Sequence, residues 1–131
     1  EPGEFQPGNG TFKPGMLRNE IQVQPAHLER IRNVMHADVE DPAGTGTRAR
    51  VEGFPVSGKT GTAEIKRGSV LIDKIVWFAS FAPFDNPRYT VIVVIESGGS
   101  GGRDAAPVAG RIYNYIHERE TAAAKGAMAS N

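Results

Sequence analysis

The residues Gly53-Phe54-Pro55-Val56-Ser57-Gly58-Lys59-Thr60 carry the densest chemical signal in this 131-residue chain. They fit the pattern G-x-x-x-x-G-K-[ST], whose backbone N–H groups cradle phosphates while the lysine reaches the outer ones. Such a loop needs a helix directly behind it, because the helix N-terminus supplies further donors and a dipole. Here Gly61 and Gly68 stand where that helix belongs, with β-branched Thr60, Thr62 and Ile65 among them and no apolar stripe at helical spacing. The acid Glu96 at the end of a Val/Ile run resembles a magnesium ligand, but many buried strands end in an acid. A nucleotide-binding module therefore stands as the alternative, to be supported by a helix after Thr60 and by stabilisation with ATP. The plainest reading of Gly58-Lys59-Thr60-Gly61 in isolation is a turn with an exposed lysine.

The elements that position this segment follow from periodicity. Residues 1–15 hold four Gly and three Pro with only Phe5 and Phe12 as large apolar residues, a loop or linker composition. A helix is expected from Pro25, a residue suited to the first helical position. Leu28, Ile31 and Met35 form its apolar stripe, and it fades before Asp41-Pro42. Residues 43–47 read as a turn-rich connection. Strands are expected at about 55–65, 74–82 and 89–96, the last so apolar that it reads as buried on both faces. The short link between the second and third strands predicts an antiparallel hairpin. A second helix is expected near Asp104, a plausible N-cap, with Val108, Ile112, Tyr115 and Ile116 facing the core. The fold class is thus α+β, an antiparallel sheet packed with helices.

Beyond the tetrapeptide Lys59-Thr60-Gly61-Thr62, the chain resembles the C-terminal part of the transpeptidase domain of class B penicillin-binding proteins. The resemblance runs through the helix Arg30-Ile31-Arg32-Asn33-Val34-Met35 and the stretch Asp41-Pro42-Ala43-Gly44-Thr45-Gly46. It continues through Lys59-Thr60-Gly61-Thr62-Ala63-Glu64 and Trp77-Phe78-Ala79-Ser80-Phe81-Ala82-Pro83. The run 89–96 and the stretch from Gly98-Gly99 to Ala105-Ala106-Pro107-Val108 complete it. Residues 16–119 are expected to form this C-terminal lobe. Phe12-Lys13-Pro14-Gly15 and the Asp-Pro-x-Gly-Thr pattern lean towards the cell-elongation subgroup.

The resemblance implies a serine acyl-enzyme that joins or cleaves peptidoglycan stem peptides and is trapped by β-lactams. It assigns Lys59 to catalysis and electrostatics near the substrate carboxylate, and the Thr60 and Thr62 hydroxyls to hydrogen bonding around that carboxylate. The Thr62 backbone N–H would be an oxyanion donor, and Gly61 would let the strand approach substrate closely. No cofactor is implied. The nucleophile belongs to a Ser-x-x-Lys motif and the proton shuttle to a Ser-x-Asn motif. The residues three before the five lysines are Gly10, Val56, Ala63, Leu71 and Ala122, and no Ser-x-Asn occurs. The chain alone is therefore expected to be inactive, its partner being the remainder of the domain with the nucleophilic serine. A β-lactam sensor domain of the same fold is a further alternative, inseparable on this lobe.

Composition narrows the remaining classes. Fifteen basic residues balance fifteen acidic ones, so no global field points to nucleic acid. The absence of cysteine removes disulfides and thiolate metal sites. His27, His36 and His117 have no ligand spacing and are expected to face solvent, with no metal site. Trp77 is expected to pack. No stretch is apolar enough to span a bilayer, and the first residue is Glu1, as in a processed or excised chain. The resemblance implies the extracytoplasmic face of a bacterial membrane (the periplasm in a Gram-negative), with any anchor on another part. Residues 120–131 extend the helix and end in Gly126-Ala127-Met128-Ala129-Ser130, which looks like an expression-vector remnant.

Overall fold

The computed structural model describes residues 20–129, so the expectations for residues 1–15 and for the last two residues lie outside it. Helix α1 (Pro25–Glu40) is followed by a 3-10 turn at Thr47–Ala49 and by strands β1 (Ser57–Arg67), β2 (Val70–Ala82) and β3 (Tyr89–Glu96). A π-turn at Gly101–Ala105 leads into helix α2 (Ala106–Ala129). The sheet is antiparallel in the order β1-β2-β3, with Thr60 opposite Phe78 and Phe78 opposite Val93. The α+β class, the hairpin and the limits of α1 and β3 agree with the sequence reading.

The inward face of the sheet follows the two-residue period of its strands. Val76, Phe78 and Ala82 of β2 are buried there, with Val91, Val93 and Ile95 of β3 beside them. Helix α2 covers them through Ala106, Ala109 and Tyr113. Small residues on that helix let it lie close, and Tyr113 fills the remaining depth. Its hydroxyl meets Ser80 Oγ at 3.1 Å, and Ser80 donates to the Val91 carbonyl at 2.8 Å, so both buried hydroxyls are satisfied. Burial pushes the Tyr113 phenol above its usual pKa.

Each helix keeps part of its expected face inward, Met35 on α1 and Val108 and Ile116 on α2, but turns its other large apolar residues out. On α1, Leu28 and Ile31 are 54% and 52% exposed, while Arg32, Met35, His36 and Val39 face the protein. The reason is the aromatic β2–β3 connection. The Arg32 guanidinium donates to the Phe84 carbonyl at 2.7 Å and lies over the Phe84 ring at 5.5 Å. His36 stacks on Phe84 at 4.3 Å. On α2, Ile112 and Tyr115 are exposed and the alanines take the core, with Ile116 packed beside them. His36 and His117 are not solvent-facing as expected: His117 packs its ring 5.3 Å from Phe54.

Strand β3 is likewise one-sided. Its burial alternates strictly, leaving Ile92 and Val94 at 65% and 60% exposure, so the expected burial on both faces is corrected. Asp104 is not an N-cap either. It lies inside the π-turn and reaches back to accept from the Gly99 and Ser100 N–H groups, while Ser100 accepts from Arg103 N–H as the cap. The Arg103 guanidinium, then those two N–H groups, hold the Asp104 carboxyl far below the usual carboxylate range.

Two predictions follow from this packing. A methyl group at Gly58 would overlap the fully buried Phe78 ring. Gly58→Ala should lower the urea-unfolding free energy by about 1–3 kcal/mol, the usual cost of overpacking. Glu120 ties α2 to the start of β3, accepting from Arg88 and from the Tyr89 hydroxyl, each at 2.6 Å. The Arg88 bond first, then Tyr89, holds its carboxyl below the ordinary value of 4.5. That contribution to stability is complete above the unfolded-state pKa and is lost as pH falls through the lower folded value. Glu120→Gln should therefore flatten the acid limb of a pH series of urea midpoints without altering the order of other variants at pH 7.

Candidate functional site

The segment that carries Lys59 is a strand throughout. β1 runs unbroken from Ser57 to Arg67, with a register shift only between Ile65 and Lys66. No helix follows Thr60, which removes the setting a phosphate loop requires. β1 pairs with β2 on one side and has no strand on its other edge among the described residues.

Lys59, Thr60, Gly61 and Thr62 therefore lie in sequence along that free-edged strand, with Lys59 and Thr62 exposed and Thr60 and Gly61 half-buried. The Lys59 ammonium is 3.2 Å from Asp38 Oδ1, 3.1 Å from Thr45 Oγ1 and 3.3 Å from Thr60 Oγ1. Thr45 Oγ1 is in turn 2.7 Å from Thr60 Oγ1 and 2.9 Å from Asp38 Oδ1. Four side chains from α1, the following loop and β1 thus share one hydrogen-bonded cluster. Asp38 is its least accessible charge, its side chain 12% exposed against 52% for Lys59.

Local structure explains how these groups meet. Asp38 lies in the last turn of α1, where the loop turns back over it. The Gly46 N–H donates to the Asp38 carbonyl at 3.0 Å, and the Thr45 N–H donates to its carboxylate at 3.3 Å. Gly61 has a second role on this strand: the Trp77 indole of its cross-strand partner occupies the space a side chain would fill. Trp77 packs, as expected, and it does so across the strand that carries Lys59.

Thr45, Thr60 and Thr62 open onto a cleft of about 430 Å³ that the glycine-rich turn closes with Ser100, Gly102 and Arg103. A cation flanked by hydroxyls at a strand edge is suited to holding a carboxylate or another small anion. The nearest serine in sequence, Ser57, is fully buried with its hydroxyl 3.5 Å from His36 Nδ1, so it is closed to substrate. Ser80 is buried and committed to Val91 and Tyr113.

Sequence reasoning singled out Lys59, Thr60, Gly61 and Thr62; the structure gathers Asp38 and Thr45 around Lys59 and Thr60, and sequence reasoning gave those two no role. One signal was available: Asp38, Glu40 and Asp41 crowd the C-terminal end of a helix, where the dipole disfavours negative charge. Such residues call for cationic partners. Glu40 finds Arg50 at 3.1 Å and Asp38 finds Lys59.

Comparison with known proteins bears on the family of the chain. Residues 11–114 match the family model described as penicillin binding protein transpeptidase domain. The chain is 43% identical over 88 residues to the probable peptidoglycan D,D-transpeptidase PenA of Neisseria meningitidis, covering 66% of this chain and 15% of that protein. It is 36% identical over 128 residues to penicillin-binding protein PbpB of Mycobacterium tuberculosis, covering 86% of this chain and 19% of that one. Among solved structures it is similar to penicillin-binding protein 3 of Mycobacterium tuberculosis complexed with ampicillin. That match has a TM-score of 0.57 and 33% identity, over 70% of this chain and 23% of that one. The chain thus spans less than a fifth of the length of these two curated relatives. With more than half of its residues matched by one family model, it belongs to the penicillin-binding protein transpeptidase-domain family, as a fragment of that domain.

Proposed function

We propose that this chain is the part of a peptidoglycan D,D-transpeptidase that supplies the Lys-Thr-Gly substrate-binding strand in bacterial cell-wall synthesis. The observation that carries the reading is the fixed Lys59 ammonium beside Thr60 on a strand with a free edge. In that role Lys59 favours the stem-peptide carboxylate and tunes neighbouring proton transfers. The Thr62 hydroxyl hydrogen-bonds the carboxylate, Thr60 holds the ammonium beside it, and the Thr62 N–H stabilises the oxyanion of acyl transfer. β-lactams occupy the same site. The ampicillin complex of a similar protein supports this assignment.

The nucleophile and proton shuttle come from the remainder of the domain. The sequence lacks Ser-x-x-Lys and Ser-x-Asn, and the two buried serines, Ser57 and Ser80, are closed to substrate. The exposed Ile92 and Val94 on the outer face of the sheet, and the open edge of β3, suit an association with that remainder. Among the described residues no helix is long and apolar enough to cross a membrane. The family reading places the domain on the extracytoplasmic face, held by an anchor outside this sequence. The reading is drawn at the level of the family, whose members with names as different as MrdA and PenA match this chain alike.

A fluorescent penicillin, followed by denaturation and mass analysis of the labelled polypeptide, tests the proposal. The chain alone should take no label. Mixed with the rest of its domain, the label should sit on the other polypeptide, and Lys59→Ala should slow labelling by about 100-fold, the scale of losing one electrostatic contact to a transition state. Label on the 131-residue chain itself would overturn the assignment. Ile92→Lys should weaken reassembly at least tenfold while leaving the isolated chain's urea stability within about 0.5 kcal/mol, as surface substitutions do.

A further inference from the structure

Lysine carries a mobile four-carbon stem, and its ammonium is a point charge with three donors and no directional fork. Holding it in one place needs acceptors that are themselves fixed. Lys59 has three acceptors at hydrogen-bond distance, from Asp38, Thr45 and Thr60. Only Asp38 is both charged and largely shielded from solvent. Its backbone is held by the helix and by the Gly46 N–H, so it is the fixed point of the cluster.

Proton bookkeeping extends its reach. Thr45 has one hydroxyl proton and two candidate acceptors, the Asp38 carboxylate at 2.9 Å and Thr60 Oγ1 at 2.7 Å. The charge-assisted bond to the carboxylate is the stronger, and it takes the proton. Thr45 must then accept from Lys59, and Thr60 must donate to Thr45. With its proton committed, Thr60 has only lone pairs left, which face the ammonium at 3.3 Å. One carboxylate thereby sets the position of a cation and the direction of two hydroxyls.

We infer that Asp38 is a positioning residue for the substrate-carboxylate site, acting directly on Lys59 and through Thr45 on Thr60. This rests on the transpeptidase reading for its substrate, but the geometric part stands on the chain alone. It leaves Lys59 as an oriented donor beside the cleft that Thr60, Thr62, Arg48 and Arg103 line. It also makes the Asp38–Lys59 pair close to neutral, so this pair contributes arranged donors more than net charge.

Two measurements test it. In the folded chain, an ammonium held in this way should give a slowly exchanging Lys59 signal in a lysine-selective 1H–15N spectrum. The signal should survive, shifted, in Asp38→Asn, which keeps an acceptor, and vanish in Asp38→Ala. No Lys59 signal in the wild-type chain, or an unchanged one in Asp38→Ala, overturns the inference. In the reassembled domain, Asp38→Ala should slow penicillin labelling roughly tenfold, the scale of one charge-assisted hydrogen bond, with Asp38→Asn recovering most of it. In a Lys59→Ala background Asp38→Ala should cost several-fold less than it does beside Lys59, because only its action through Thr45 on Thr60 remains. An equal loss in both backgrounds would mark Asp38 as a fold residue only and sink the idea. If the wild-type pair takes no label, the transpeptidase reading falls, and the ammonium spectrum still decides the role of Asp38.

Discussion

Among the described residues strand β1 is held to the sheet along one edge only, and that constraint organises the rest of the molecule. A central strand gains hydrogen bonds and packing from both neighbours, while an edge strand must be fixed by its faces and its ends. Here the inward face is fixed by Phe78 beneath Gly58, and the outward face by Trp77 across Gly61. Neither contact is available to a residue with a side chain at those positions. Gly58, which in a phosphate loop would free the backbone, and Gly61 beyond it instead serve to clamp the strand. The outer edge stays open, and beside it lies the Asp38, Thr45, Lys59 and Thr60 cluster.

The same constraint explains what the sequence could disclose. Strand β3 and the limits of α1 were legible because a Val/Ile run and an N-terminal proline act locally. The inward faces of both helices were legible only in part. Leu28 and Ile31 form a regular stripe, but what they must face is decided by the tertiary surroundings. The β2–β3 connection offers Phe84 and its carbonyl, so Arg32 and His36 win the contact. On α2 Ala106, Ala109 and Tyr113 take the core, and Ile112 and Tyr115 are left outside. Lys59 and its threonines were readable as a motif, whereas Asp38 is 21 positions away from Lys59 and only the fold brings them together.

The outward stripes have their own physical reading. Leu28 and Ile31 on α1 and Ile92 and Val94 on β3 leave apolar surface in water that the sequence had written as core. The apolar pattern was correct about which residues suit burial and wrong about what the chain by itself can bury. A fragment of a domain should show this mismatch, because its pattern was set by neighbours that lie outside it. Strand β3 gives the sharpest case: an almost wholly apolar run with a strictly alternating burial, one face covered by α2 and the other by nothing described.

Asp38 bears on how such a site can discriminate. An isolated cation at a strand edge would attract any anion, and its flexible stem would accept many geometries. Pairing it with a shielded carboxylate removes most of that indiscriminate pull and replaces it with direction. The Lys59 protons that face away from Asp38 and Thr45 are left to meet a ligand, beside a Thr60 hydroxyl whose proton is already spoken for. An incoming carboxylate must therefore displace the weakest member, the 3.3 Å contact to Thr60, and not the 3.2 Å ion pair that fixes the ammonium. The near-equal distances do not separate these contacts; their charge does, since a carboxylate holds an ammonium more strongly than a neutral hydroxyl does. The anchor and the binding contact are thus made by different protons of one group, and a mobile side chain acts as a fixed one.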